Sequence, residues 1–463
     1  MTLGTQRRMS APGAPGISAR RPTVYRVVGE GIPSPSSALS LLLLLQLIVL
    51  AQPRAAPLRA PQMGWLTWAQ YGCAAPPRFN CTSADDVCIN ERLLVSAASR
   101  LAADGYLAAG YTLVLQDDCA VAHARDPVTH ALPLDPERFP KGLVGVAESV
   151  HAMGALLGVY TAVAYETCTV RWHNPGSRGF EAVDVATWAA AGVDYLKADG
   201  CGDSAYFATG YAALGAAIGE QPRPMAFSCS WPYYIGGNET TKDWAQVLDA
   251  GCVTGRSFVD VACSWVSVSA ILDHYGDNGA FFQNLARRSG FVVDADALLV
   301  GTRGSYAPPN MGNSSELCLT GDEERSQFAV YAIMALPLLI SINFTTIPAA
   351  SKAVLLNRDA IAISQDGVVG GLRLTPKGAT EVWARNLSSG AVAVALLNRG
   401  PPDDEPQNIS VAFRDVGLPG GRAGVFDVWR GADLGAFTGG FSALVPPHGA
   451  ALLRFSAAAN WGA

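Results

Sequence analysis

Charge is scarce in this chain: only 16% of its 463 residues are Asp, Glu, Lys or Arg, and the formal balance is −6. A nucleic-acid groove needs clustered Lys and Arg, so that class of partner is excluded. No run of like charge is long enough for a polyanion or lipid patch. The ten cysteines contain no C-x-x-C pair, which removes zinc-ribbon and thioredoxin readings. No glycine-rich phosphate loop opens a helix, and no internal repeat or long low-complexity linker divides the chain. What remains, at 49% hydrophobic, can bury a sizeable core and faces a neutral small molecule or glycan.

The N-terminus is set apart. Arg7, Arg8, Arg20, Arg21 and Arg26 precede an apolar run, Leu39–Leu50, which passes into small residues and prolines. That order reads as a secretory signal over residues 1–56; the run is short for a membrane span, and an uncleaved anchor is the alternative. The cysteines fit an oxidising compartment, and all lie between Cys73 and Cys318. Sequons at Asn80, Asn238, Asn313, Asn343, Asn386 and Asn408 fit glycosylated surface loops of a secreted or lysosomal/vacuolar lumenal protein.

Between residues 57 and 366, short apolar runs alternate with helix-like segments. Strands are expected at Tyr111–Gln116, Leu156–Thr161, Tyr195–Ala198, Met225–Ser228, Ala297–Val300 and Leu338–Ile342. Leu94, Ala97, Ala98 and Leu101 fall at helical spacing, as do Leu143, Val146, Ala147 and Val150. This alternation predicts an α/β fold, a (β/α)8 TIM barrel by size, with a doubly wound sheet as runner-up. From 367 to 463 the pattern changes to short β-type runs split by turns: Glu381–Arg385, Ala391–Leu397, Ile409–Phe413, Gly424–Trp429 and Ala450–Phe455. These predict a C-terminal antiparallel β-sandwich packed directly on the barrel.

Carboxylates end several of the expected strands. Tyr111–Gln116 runs into Asp117 and Asp118, Tyr195–Ala198 into Asp199, and the segment through Gly255 and Arg256 reaches Asp260. A single such residue is equally well the first solvated residue of a loop. Three of them, at the strand ends where barrels hold their active sites, point to a carboxylate-lined pocket.

The residues then resemble a known family in order and spacing. Met63-Gly64-Trp65-Leu66-Thr67-Trp68, Gln116-Asp117-Asp118-Cys119, Asp194-Tyr195-Leu196-Lys197-Ala198-Asp199-Gly200-Cys201, Ser228-Cys229-Ser230-Trp231-Pro232 and Arg256-Ser257-Phe258-Val259-Asp260 are similar to motifs of glycoside hydrolase family 27, the α-galactosidases and α-N-acetylgalactosaminidases. Pro447-His448-Gly449 resembles the closing turn of that family's C-terminal sandwich. The resemblance implies a retaining exo-glycosidase that releases terminal non-reducing α-D-galactose, with no cofactor and no metal. Asp199 would be the nucleophile and Asp260 the acid/base, with carboxyls about 5–5.5 Å apart and the acid/base at a raised pKa. Asp117 and Asp118 would hold the sugar's 4- and 6-hydroxyls; a metal-ligand pair is their alternative reading. Lys197 and Arg256 would bind further hydroxyls, Lys197 also helping to keep Asp199 ionised, while Trp68 and Tyr160 wall the pocket. The implied disulfides are Cys73–Cys119, Cys81–Cys88, Cys168–Cys201 and Cys229–Cys252, with Cys263 and Cys318 either bridged or free. The partner is a glycan with terminal α-galactose, and a homodimer is left open.

Three departures bear on function. The family's Trp-Asn-Asp-Pro-Asp-Met stretch on the seventh strand reads Val292-Val293-Asp294-Ala295-Asp296-Ala297 here. The third strand ends in Ala162 where an Asp is usual. Ser230 is small, as in the N-acetylgalactosaminidases, while Tyr233 is bulky, as a galactosidase needs beside C2 of the sugar. Galactose is the favoured substrate; N-acetylgalactosamine and a catalytically inactive sugar-binding homologue are the alternatives.

Overall fold

The computed structural model describes residues 58–73, 88–169, 172–304, 316–418 and 421–457. The leader, the sequons at Asn80 and Asn313, and Cys81 of the expected Cys81–Cys88 pair lie outside the described residues.

Eight short strands form the first sheet: β1 (Met63–Leu66), β2 (Leu113–Leu115), β3 (Leu156–Ala162), β4 (Tyr195–Asp199), β5 (Ala226–Cys229), β6 (Thr254–Arg256), β7 (Val292–Asp294) and β8 (Leu338–Ile340). All neighbours pair in parallel, in the order β7-β6-β5-β4-β3-β2-β1-β8. Helices lie between them, so both faces are covered and the strands are almost continuously apolar. At β6 the backbones run close: a side chain at Gly255 would meet the Cys229 carbonyl oxygen at 2.0 Å. The two expected helices are Glu91–Ala103 and Gly142–Ala152, and Leu94, Ala97, Ala98, Leu101, Val146, Ala147 and Val150 are buried on them.

One expected strand is corrected. Ala297–Val300 is not a strand; the strand before it is Val292–Asp294. Asp296 has φ of 70°, which turns the chain out of extended geometry before the apolar run begins. The run stays buried and closes the barrel through a single parallel bridge between Leu298 and Ile340, with Leu298 N donating to Leu339 O at 2.8 Å.

The C-terminal part has β9 (Leu372–Arg373), β10 (Thr380–Asn386), β11 (Val392–Asn398), β12 (Gln407–Ala412), β13 (Arg422–Asp427), β14 (Ala432–Thr438), β15 (Gly440–Val445) and β16 (Ala450–Ala457). Six form the antiparallel sheet β14-β13-β16-β11-β10-β9, and β12 pairs with β15. Five were expected. β9 is two residues long, and β14 and β15 are rich in half-buried and exposed positions, so none shows a clear apolar alternation. Pro447-His448-Gly449 makes the turn from β15 into β16, with Gly449 N donating to Pro446 O at 2.9 Å.

The two parts share an interface. The helix Gly321–Met334 begins with a Thr320/Glu323 capping box and is buried from Ser326 to Met334, since it lies between barrel and sandwich. Arg385 of β10 is 2% exposed, and its guanidinium donates to the carbonyls of Ala332, Ile363, Ser364, Asp366 and Gly367. It supplies donors to backbone oxygens at and beyond the helix ends, where intrahelical donors run out.

Candidate active site

The C-terminal ends of the barrel strands gather the polar residues. β3 and β4 set Tyr160 beside Lys197 and Ala162 beside Asp199 in register. Lys197 Nζ lies 2.7 Å from Asp117 Oδ2 and 5.4 Å from the Tyr160 ring. Its direct partner is therefore Asp117, while its charge also reaches Asp199 and Asp296. Burial alone would lower the Lys197 ammonium, but Asp117, Asp199 and Asp296 outweigh it and hold it above its ordinary range.

Asp117 and Asp118 turn back on the chain after β2. Asp117 Oδ1 accepts from Asp118 N at 2.8 Å, and Asp118 accepts from Cys119 N at 2.6 Å and Thr169 N at 3.1 Å. Burial pushes the Asp117 carboxyl up to about 6, against the pull of Lys197, and raises Asp118 as well. Tyr160, whose hydroxyl is buried without a hydrogen-bond partner, faces the same space: burial and then Asp199, Asp118 and Asp117 hold its phenol protonated.

Asp199 ends β4. Ser230, just past β5, donates its hydroxyl to Asp199 Oδ1. The sulfur of Cys168 lies 3.6 Å from Asp199 Oδ2, within the Cys168–Cys201 disulfide. Those two cysteines and Asp199 cluster tightly enough for a metal site, but disulfide sulfurs offer no thiolate. Tyr234 places its hydroxyl 3.0 Å from Cys201 Sγ and 3.4 Å from Cys168 Sγ. Gly200 is what admits that ring, since a side chain there would meet it at 2.9 Å. Burial, then Asp199 and Asp260, raise the Tyr234 phenol, so both carboxylates act on one ring.

Arg256 ends β6 and organises the loop beyond it. Its guanidinium lies 2.7 Å from Asp260 and 3.2 Å from Asp296, and donates to Phe258 O at 2.9 Å. Asp260 is half-exposed, and Arg256 holds its carboxyl below the ordinary range. A raised Asp260 was expected; the open site holds it ionised instead, because its nearest charge is a guanidinium. Asp296 accepts from Val261 N at 2.9 Å, next to Asp260, and Asp294 is pushed up to about 6 by burial against Arg256. Tyr233 sits one helical turn after Ser230, edge-on to Tyr234 at 4.9 Å and 6.0 Å from the Arg256 guanidinium. Trp68, half-buried, opens the helix after β1.

The structure thus brings Asp117, Asp118, Tyr160, Lys197, Asp199, Ser230, Tyr233, Arg256 and Asp260 to one set of strand ends. Tyr234, Asp294 and Asp296 join them without having been expected as site residues. The two aspartates carry the same signal as Asp117 and Asp118, an apolar strand running into carboxylates. Among the described residues the expected bridges Cys73–Cys119, Cys168–Cys201 and Cys229–Cys252 are present, and Cys263 is joined to Cys318.

Carboxylates in unlike surroundings, set among cations and aromatic walls at the open end of a barrel, are the equipment of glycosidic-bond hydrolysis. The family description "Alpha galactosidase A" matches residues 60–366, and "Alpha galactosidase C-terminal beta sandwich domain" matches 377–455. An alpha-N-acetylgalactosaminidase of Gallus gallus is 35% identical over 399 residues, spanning 84% of this chain and 92% of that one. Alpha-galactosidase A of Homo sapiens is 34% identical over 362 residues, 78% of each. The crystal structure of alpha-galactosidase I from Mortierella vinacea matches with a TM-score of 0.71 at 26% identity, covering 86% of this chain and 97% of that one. The chain belongs to the alpha-galactosidase A family and is a glycoside hydrolase. Among the described residues no helix is long and apolar enough to cross a membrane.

Proposed function

We propose that the enzyme releases terminal non-reducing α-D-galactose by a retaining double displacement. The carrying observation is the contrast between its two carboxylates. Asp199 is held at a strand end by Ser230 with the Cys168–Cys201 bridge against it, while Asp260 is half-exposed on a loop and paired with Arg256. A nucleophile needs a fixed position; an acid/base must meet both a leaving group and a water. Asp199 attacks the anomeric carbon, and Asp260 protonates the departing oxygen, then takes a proton from water. Asp260 must first acquire a proton. Sugar hydroxyls that engage Arg256 weaken its pull, and exclusion of water raises the carboxyl.

Asp117 and Asp118 accept hydroxyls of the sugar, Lys197 and Arg256 donate to them, and Trp68 and Tyr160 cover its apolar faces. Tyr233 leaves little room beside C2, which favours galactose. The second reading, α-N-acetylgalactosaminidase, rests on the small Ser230 and on relatives of that name. Hydrolysis of matched chromogenic α-galactoside and α-N-acetylgalactosaminide decides between them, and no turnover of either would leave a sugar-binding homologue. The disulfides among the described residues support a secretory or lysosomal/vacuolar lumen. A homodimer is read out by solution mass.

A further inference from the structure

The loop that carries Asp260 is gripped from behind by a buried charged group. Glu239 and Lys242 have side chains 1% and 3% exposed, with Lys242 Nζ 2.6 Å from Glu239 Oε1. The same ammonium donates to the backbone carbonyl of Ser257 at 3.2 Å. On the helix Trp265–Asp277, His274 sets its Nε2 3.2 Å from Glu239 Oε1. The His274 ring lies flat on Phe258, with centroids 4.1 Å apart and planes 10° from parallel. Ser257 and Phe258 are the residues between Arg256 and the Val259-Asp260 step, and Phe258 O is also an Arg256 acceptor.

A buried ion pair is a poor source of net stability, because removing two charges from water costs about as much as their attraction returns. Its use here is geometric: one cation satisfied by a carboxylate has a spare donor, aimed at a single peptide oxygen. We propose that Glu239, Lys242 and His274 are positioning residues for the acid/base, holding the Ser257–Phe258 backbone so that Asp260 meets the leaving-group oxygen. None of them touches substrate. The proposal rests on the reading of Asp260 as acid/base.

Leaving-group dependence separates this role from a merely structural one. A dinitrophenyl group departs without protonation, whereas an unsubstituted phenyl group needs a well-placed acid. The test compares kcat/KM for these two α-glycosides of the preferred sugar, which reports only steps through the first bond cleavage. Glu239→Gln combined with Lys242→Met removes both charges together and leaves neither uncompensated. It should lose about 10- to 100-fold on the phenyl substrate and less than about threefold on the dinitrophenyl one. Lys242→Arg should retain most of the phenyl activity. Should the double variant fail to fold, His274→Ala keeps the Glu239–Lys242 pair, removes the stacked ring together with its contact to Glu239, and is read in the same way.

Equal losses on both substrates, or none on either, would overturn the proposal. Asp260→Ala is the control. If it lacks leaving-group dependence and azide does not restore turnover, the acid/base assignment itself falls, whatever the other variants do.

Discussion

Ser230 donates its hydroxyl to Asp199 Oδ1, so the residue expected to admit or refuse a C2 substituent also touches the proposed nucleophile. The specificity role proposed for it and an effect on catalysis are therefore coupled. Ser230→Ala should lower kcat by roughly tenfold, the rate equivalent of one hydrogen bond to a charged group, with KM little changed. Asp199→Ala should abolish turnover with the fold intact. Retention of more than a small fraction of the wild-type rate by Asp199→Ala would remove the nucleophile assignment.

The Cys168–Cys201 bridge joins the loop after β3 to the end of β4, across a separation of 33 residues. Its sulfurs lie against Asp199 and Tyr234. Replacing both cysteines by serine should cost about 2–5 kcal/mol of stability. It should also cost activity at temperatures where the variant is still folded, because the wall beside Asp199, the proposed nucleophile, is then free to move. Mass mapping that found Cys168 and Cys201 as free thiols in protein purified without reductant would contradict this.

Acid should stabilise the enzyme. Asp117 and Asp294 are each pushed up to about 6 in the folded state, from an ordinary 3.8. Between those values the folded chain holds protons that the unfolded chain has released. The stabilising contribution is complete below 3.8 and disappears as pH rises through about 6. Each group contributes roughly 3 kcal/mol at most. Asp260 has the opposite sign, but its depressed pKa matters only below the ordinary carboxylate range. Tm should therefore be higher at pH 5 than at pH 7, by about a few degrees. Asp294→Asn should shrink the difference; an unchanged profile would mean that the Asp294 carboxyl is not raised.

The residues legible in sequence are those whose role follows from position along one strand. Asp117, Asp118, Lys197 and Asp199 are polar residues in or ending apolar runs, and the run itself shows where they go. Relationships across the fold were not legible in that way. Nothing local ties Cys263 to Cys318, 55 residues apart, or tells that Arg385 collects carbonyls from segments near Ala332 and Ile363. Ala297–Val300 misled for a related reason. Its apolar character reports burial, and burial is shared by a strand and by a turn-led closing segment; only the positive φ of Asp296 separates them. The state of Asp260 was also hidden, since the proposed acid/base role requires a proton there while the structure supplies Arg256 at 2.7 Å.

Tyr233 offers the sharpest test of substrate choice. It follows Ser230 by one helical turn, Tyr233 N donating to Ser230 O at 3.0 Å, and its ring lies 4.9 Å from that of Tyr234 and 6.0 Å from the Arg256 guanidinium. If that ring fills the space beside C2, Tyr233→Ala opens room for an N-acetyl group, while Ser230 is already small. The expected result is a rise in kcat/KM for the N-acetylgalactosaminide relative to the galactoside. Relieving a clash that acts on one substrate alone shifts preference more than a new contact does. Galactoside turnover should fall modestly, since a wall is lost while Asp199 and Asp260 keep their partners. Should the wild type already prefer the N-acetyl sugar, or the variant's preference not move, Tyr233 does not set the C2 pocket. The galactose assignment would then fail, and the roles of Asp199 and Asp260 would be untouched by that failure.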